Sequence, residues 1–575
     1  MVLSKEYLTP NEIGLAVQSF NKILLDPVED GELRKAALDA LCATSHINSL
    51  YIIEQTLPAL MTKLPEDQEV AQQDSYVLTA LKFICPTESV YIHAAPLLLQ
   101  KLDAICQQGK TQVEYAQAIA SVLLNILQTK ATESHADLAK EVHTMVPYVF
   151  RKVIEASLNT SDSLYLDPQL LQTLSLIVIT ILIKVDSSEQ KAFMDMIFKS
   201  FVQGDLVEFM HTQGQFKPLD PTAPEGQQRT VQLFSAVICS LRKDVALPVS
   251  SMEDFLNTMV TLALSSDIQT TSVSRMIGSL INKWKDNNAL TEYVKTTSLL
   301  LQDTMTQNPR ALEVYLWITK ALILRAHPLG YELTDKVIEW CGLSIQGVAH
   351  GFDILVRDDV YALNKSLFAT VTLLYKQRFF SYSLPKLIQG YHSTQSDIKP
   401  NYLIALSFLL KNVPKQILLN ELPPLIPLLI QSLELPDTTL RVSTLNTFKL
   451  AVAEAPETIS SQVSMILPSL LDTTLRVSTL NTFKLAVAEA PETISSQVSM
   501  ILPSLLGILQ DRSSSIQVRV AVLNCLSEFP TSLPKDVLKP HVQSVLWKLK
   551  VVLDDRKRIV RKEAVDCRSK WFVIL

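Results

Sequence analysis

Five prolines stand inside apolar stretches that have helical spacing: Pro58 in TLPAL, Pro96 in AAPLLL, Pro147 in MVPYVF, Pro427 in LIPLLI and Pro468 in ILPSLL. Such a proline removes a backbone hydrogen bond and bends its helix. Pro58 and Pro96 lie 38 residues apart, and Pro427 and Pro468 lie 41 apart. These intervals sit near the ~40-residue period of stacked helix pairs. A chain of 575 residues also exceeds the size at which a single core stops growing, so an extended repeat accounts for the length. Only 13 of those residues are glycine, against a usual level of about 7%, which favours long helices with short connections. No β-alternating segment of useful length appears. The expected fold is all-α, an α-solenoid of helical-hairpin repeats.

Local signals agree from end to end. Thr9-Pro10-Asn11-Glu12 is a capping box with proline at the first helical position. In DPVEDGELRKAALDAL, Leu33, Ala37, Leu38 and Leu41 form an apolar stripe with Arg34 and Lys35 outside it. A turn led by aspartate, then a hydrophobic residue followed by arginine, then alanine, is the inner-helix pattern of HEAT repeats. It returns with Asp511, Val518-Arg519 and Ala521, and again with Asp554-Asp555, Val560-Arg561 and Ala564. HTQGQFKPLDPTAPEGQQ has three prolines, two glycines and no apolar period, and is predicted to be an exposed loop or disordered insert. The expected organisation is therefore helical repeats over 1–210, the insert at 211–228, repeats over 229–420, and C-terminal HEAT repeats over 421–575.

The last region says one thing twice: residues 437–471 and 472–506 are identical. Within a copy the unit is sensible, with Leu445, Phe448 and Val452 on its first helix and Val463, Ile466, Leu467, Leu470 and Leu471 on its second. The junction is not. Ile501 to Arg519 spans 18 residues, whereas Ile466 to Arg476 spans 10, so about two helical turns are missing. Identity extends to positions such as Asn446 and Lys449 that packing does not dictate. The second copy reads as a recent duplication or an assembly error.

Enzyme signatures are missing: the sequence contains no G-x-G-x-x-G, no G-x-x-x-x-G-K-[ST] and no H-E-x-x-H. No catalytic residue, cofactor or metal site is expected. Cys42 and His46 share a helix face but lack further ligands, and read as a core cysteine beside a surface histidine. The seven cysteines are scattered, as in reduced thiols of cytosol or nucleus. The longest apolar run, LSLIVITILI, is about half a membrane span. With 52 basic and 58 acidic residues, nothing overall asks for nucleic acid, and no direct membrane contact is expected.

Charge is concentrated near the end. Lys548, Lys550, Arg556, Lys557, Arg558, Arg561, Lys562, Arg568 and Lys570 face four acidic residues over the same span, with Trp547, Trp571 and Phe572 interleaved. Two readings stand. The charges solvate and close the last repeat, or they form a docking patch for an acidic partner, since tryptophan and arginine dominate binding hot spots.

LWITKALILRAHPL at 316–329, KQRFF at 376–380, DIKPNYL at 397–403 and LDDRKRIVRKEAV near the end resemble the C-terminal half of the MMS-nineteen family. The resemblance is densest from about 310 to 572, and the family pattern has one copy of the duplicated unit. Family members are much longer, which implies a fragment, an isoform or a truncated gene model. The resemblance implies a HEAT-repeat adaptor of the cytosolic iron–sulfur protein assembly (CIA) targeting complex, linked to DNA repair and transcription, in nucleus and cytoplasm. It implies as partners a small carrier subunit, a β-propeller subunit and apo-clients such as repair helicases, polymerases and primases. The rival is another HEAT scaffold, of nuclear-transport or phosphatase type. Trp284, Trp317, Trp340, Trp547 and Trp571 lack the row spacing expected of a transport receptor.

Overall fold

The computed structural model describes residues 9–26, 29–64, 75–107, 112–132, 136–159, 163–210, 215–343, 345, 347–435, 438–454, 480–481, 483–484, 487–488, 491–495, 498–510 and 514–574. Among them there are helices and turns and no strand. Two compact units emerge, Met1–His327 with Asp358–Thr372, and Pro328–Arg357 with Leu373–Leu575. This division differs from the one composition suggests.

Unit 1 contains α1 (Pro10–Leu25), α2 (Gly31–Ile47), α3 (Ser75–Ile84), α4 (Glu88–Gln107), α5 (Val113–Thr132), α6 (Met145–Asn159) and α7 (Pro168–Leu182). It continues with α8 (Ser187–Gln203), α9 (Glu225–Ser240), α10 (Met252–Ser265), α11 (Asp267–Lys283), α12 (Asn287–Met305) and α13 (Arg310–Leu324). Helices α2, α3, α5, α7, α9, α11 and α13 form one row, each against the next, while α1, α4, α10 and α12 back α2, α5, α11 and α13 as hairpin partners. Contacts confined to neighbouring repeats define a solenoid.

Helices inside the row are flanked on two sides, and those with a hairpin partner are backed on a third, so α7 and α13 are apolar nearly all round. Thus α7, the run that is half a membrane span, buries Leu170, Leu174, Ile177, Val178, Ile181 and Leu182 in protein. No described helix is long and apolar enough to cross a membrane. Basic side chains stitch the row together by capping the carbonyls that the preceding helix leaves open. Lys130 Nζ donates to Pro86 O (3.5 Å), Lys283 Nζ to Cys239 O and Leu241 O (both 2.7 Å), and Arg325 Nη1 to Ile281 O (2.7 Å).

The capping box forms as expected, with Thr9 and Glu12 bonded reciprocally. The prolines behave less uniformly. Pro96 and Pro427 lie within helices, but Pro58 sits in the first turn of Leu57–Lys63 behind a π-turn, and Pro147 lies in the first turn of α6. Pro468 lies outside the described residues, and its duplicate Pro503 is inside a helix.

Of the predicted exposed insert at 211–228, residues 215–224 form a loop that is exposed at most positions, and residues 211–214 lie outside the described residues. Residues 225–228 open α9, and Phe216, Ala223 and Gln227 are buried. The Gln227 amide holds the loop by accepting from Lys217 N and donating to Gln215 O, each at 2.9 Å. Loop-like composition conceals this because a few buried side chains anchor the turns.

Asp358–Thr372 is a strap across the row of unit 1. Leu367 packs with Ile179 of α7 and Ala236 of α9. Asn282 of α11 clasps Thr370, accepting from its N–H (2.6 Å) and donating to its carbonyl (3.0 Å). Thr372 N donates to Leu324 O at 2.8 Å. Gly278 lets the strap and α13 approach, since a Cβ there would lie 3.1 Å from Trp317 O and 3.4 Å from Leu363 Cδ1.

Unit 2 contains α14 (Pro328–Gly342), α15 (Val348–Val356), α16 (Tyr375–Ser393), α17 (Lys399–Asn412), α18 (Lys415–Glu434) and α19 (Thr438–Glu454). It ends with α20 (Val498–Gln510), α21 (Ile516–Ser532), α22 (Val542–Val552) and α23 (Arg558–Phe572). The same logic holds: α15, α17 and α19 pack in series, and α21 packs on α23 with α20 and α22 alongside. The HEAT arginine finds its aspartate, with Arg519 Nε 3.4 Å from Asp555 Oδ2. Of the tandem unit, Leu445 and Phe448 and their duplicates Leu480 and Phe483 are all buried. The stripe predicted for the second helix is buried in the second copy as Val498, Ile501, Leu502, Leu505 and Leu506. Its first-copy counterparts, and the junction, lie outside the described residues.

Candidate functional site

The expected docking patch falls on α22 and α23. Along α23, Val560, Ala564, Cys567 and Trp571 recur at helical spacing and are buried, so the helix turns that stripe toward α21. Trp571 is therefore not a docking residue. It is fully buried, its Nε1–H donates to Leu526 O at 2.8 Å, and its ring lies 6.3 Å from Phe529. The spacing from Val560 already carried this assignment, and the neighbouring charges drew attention away from it.

Trp547, on the opposite side of α22, is 67% exposed. Lys550, Arg556, Lys557, Arg558, Lys562 and Lys570 are exposed as well, whereas Lys548, Arg561 and Arg568 are half-buried. Arg561 is spent within the fold, donating from Nη1 to Asp555 O at 2.7 Å. Charge counting missed other exposed apolar residues of these two helices, Val551, Ile559 and Val565, and Val573 just beyond α23. Val565 and Phe572 line a cavity of about 360 Å³ together with Leu553, Arg568 and Ser569. Exposed apolar and basic side chains on the same two helices suit a protein contact.

Among the described residues no group of three or more His, Cys, Asp or Glu is placed to hold a metal ion. All seven cysteines are free, and six are buried. Burial pushes the Cys85, Cys106 and Cys341 thiols up to about 12. Cys42 is not the core cysteine expected. It is half-buried in the wall of a cavity that His46 also lines, and burial with the nearby Asp39 raises its thiol to about 11.

Comparison with known proteins places the chain. Residues 77–477 match a family described as RNAPII transcription regulator C-terminal. The chain is similar to the MMS19 nucleotide excision repair protein homolog of Xenopus laevis, 29% identical over 599 residues, covering 100% of this chain and 54% of that protein. It is similar to the DNA repair/transcription protein mms19 of Schizosaccharomyces pombe, 24% identical over 604 residues, covering 100% and 54%. It thus spans about half the length of these curated relatives. A crystal structure of Kap121p aligns with a TM-score of 0.38 at 12% identity, covering 98% of this chain and 53% of that one.

Proposed function

We propose, from the premise that the chain belongs to the family described as RNAPII transcription regulator C-terminal, that it is a non-catalytic adaptor of the CIA targeting complex. In this role it delivers iron–sulfur clusters to apoproteins of DNA repair, replication and transcription. Its relatives bear DNA-repair and transcription names, and the sequence resemblance supplies the finer role. The small carrier subunit and the β-propeller subunit dock on the α22–α23 face, and apo-clients such as repair helicases, polymerases and primases are recruited through the assembly, in nucleus and cytoplasm.

The observation that supports this reading is the exposure of Trp547, Val551, Val565 and Phe572 on two helices that also carry exposed basic residues. Aromatic anchors ringed by charge are how protein interfaces concentrate affinity. The cluster is cargo for such an adaptor, so its scattered cysteines need not ligate it. A solenoid suits the task because it offers several partners one long surface, and simultaneous binding raises avidity.

The test is a pull-down from cell extract with the chain as bait, beside the same chain lacking 472–506. Recovery of carrier and propeller subunits by the wild-type bait, lost in a Trp547→Ala/Phe572→Ala variant, supports the reading. Recovery by neither the full nor the shortened bait contradicts it. Recovery only after excision marks the extra unit as damaging.

A further inference from the structure

The row of unit 1 treats its two stretches differently. Over α7 to α13 it is covered by the strap. Over α2, α3 and α5 no other described residue covers it, and it holds a cavity of about 710 Å³ lined by Lys35, Cys42, Tyr76, Lys82, Phe83 and Asn125, among others.

The strap shows what chemistry the row accepts. Arg275 of α11 grips Asp359 through Nη2 (2.8 Å) and Nε (3.2 Å), and its guanidinium lies 4.6 Å from the Tyr361 ring and 5.6 Å from Trp317. The Asp359 carboxylate also accepts the N–H groups of Tyr361 (2.8 Å) and Ala362 (3.0 Å). An acidic residue followed two positions later by an aromatic one is thus read by a cation set beside aromatic rings.

Part of that register recurs on the bare stretch, although the position of Arg275 is taken there by the buried Val122. The capping residues Lys130 and Lys283 mark equivalent points on α5 and α11. Asn125 and Thr129 stand before Lys130 as Gly278 and Asn282 stand before Lys283. Gly278 and Asn282 meet the strap, and Asn125 and Thr129 line the cavity. Cations and aromatic rings again share one lining, with Lys35 and Lys82 beside Tyr76 and Phe83. Lys35 and Lys82 lie on the lining, where Asp39 is the one carboxylate. Among the described residues neither lysine is ion-paired, and Phe83 is 60% exposed.

We propose that this bare groove binds an extended segment of a partner protein with the strap's own chemistry, a carboxylate side chain set two residues before an aromatic one. The carboxylate meets Lys82 and Lys35, and the aromatic ring lies on Phe83 and Tyr76. Asp39 disfavours a second carboxylate on the α2 side and so fixes the direction of the segment. This site is separate from the α22–α23 face and stands whether or not that face docks CIA subunits.

The probe is a fluorescein-labelled peptide with the sequence of residues 358–372, titrated by anisotropy into the purified full chain. Saturable binding is expected. It weakens roughly tenfold or more with Lys82→Glu and with Phe83→Ala, and likewise when both aspartates of the peptide become asparagine. Val551→Ala, on α22, leaves it unchanged. Both groove variants alter accessible side chains, and circular-dichroism melts confirm that they fold. Absence of saturable binding overturns the proposal. So does binding that ignores both groove variants, or that responds instead to Arg275→Ala, which would show the peptide exchanging with the strap.

Discussion

On α11 the row is closed by a segment of its own chain, whereas on α5 the equivalent face is open among the described residues. Beneath the strap, Arg275 and Asp359 are 15% and 4% exposed, and their pairing is part of a packed interior. On the open stretch Phe83, Lys35 and Asn125 face solvent. Repeat architecture makes such positions equivalent in geometry, and only what lies over them decides whether a side chain holds the fold or is free to bind. The strap itself is held at a cost: Leu363 and Phe368 take positive φ angles of 56° and 59°, a region that costs a non-glycine residue about 1 kcal/mol or more. The clasp by Asn282 and the Arg275–Asp359 pair must offset it.

Breaking the comparison at its strongest point means Arg275→Ala. The buried carboxylate of Asp359 loses its cation, and the expected loss is about 3 kcal/mol or more in urea unfolding. A loss near zero would mean the strap is not anchored as described. Asn282→Ala removes the clasp on Thr370 together with a bond to Ala321 O. It is expected to cost about 2 kcal/mol and to speed amide exchange at Thr370. On the open stretch Phe83→Ala should change stability by less than about 0.5 kcal/mol, and a larger loss would show Phe83 to be part of the core.

Cys42 sharpens the contrast by chemistry. It is half-buried, while the other six cysteines are buried, so iodoacetamide should modify it first in the native protein. Its thiol is raised to about 11, and only the thiolate reacts. The rate should therefore climb about tenfold per pH unit from neutrality toward that value, and saturation near pH 8 would contradict the environment described.

Much of this was legible in residues, and the failures have physical reasons. Helix starts with local chemistry, such as Thr9 and Glu12, could be read directly because the cap is made within four residues. Repeat stripes such as Val498 to Leu506 could be read because burial follows helical spacing. The strap could not: its anchors Arg275 and Asn282 lie more than eighty residues away along the chain, and no local pattern encodes such a pairing. At the terminal face, charge density pointed to α22 and α23 but included Trp571, which the stripe from Val560 places inside, and it passed over Val551, Ile559 and Val565. Spacing was the better guide there than composition.

The central claim, that the chain docks carrier and propeller subunits through α22 and α23, is met most directly by hydrogen–deuterium exchange of the purified chain with and without those two purified subunits. The account predicts slowed exchange along both helices, with loss of that protection in the Trp547→Ala/Phe572→Ala variant. Unchanged exchange on α22 and α23 when the subunits bind, or binding that survives the double substitution undiminished, would contradict it.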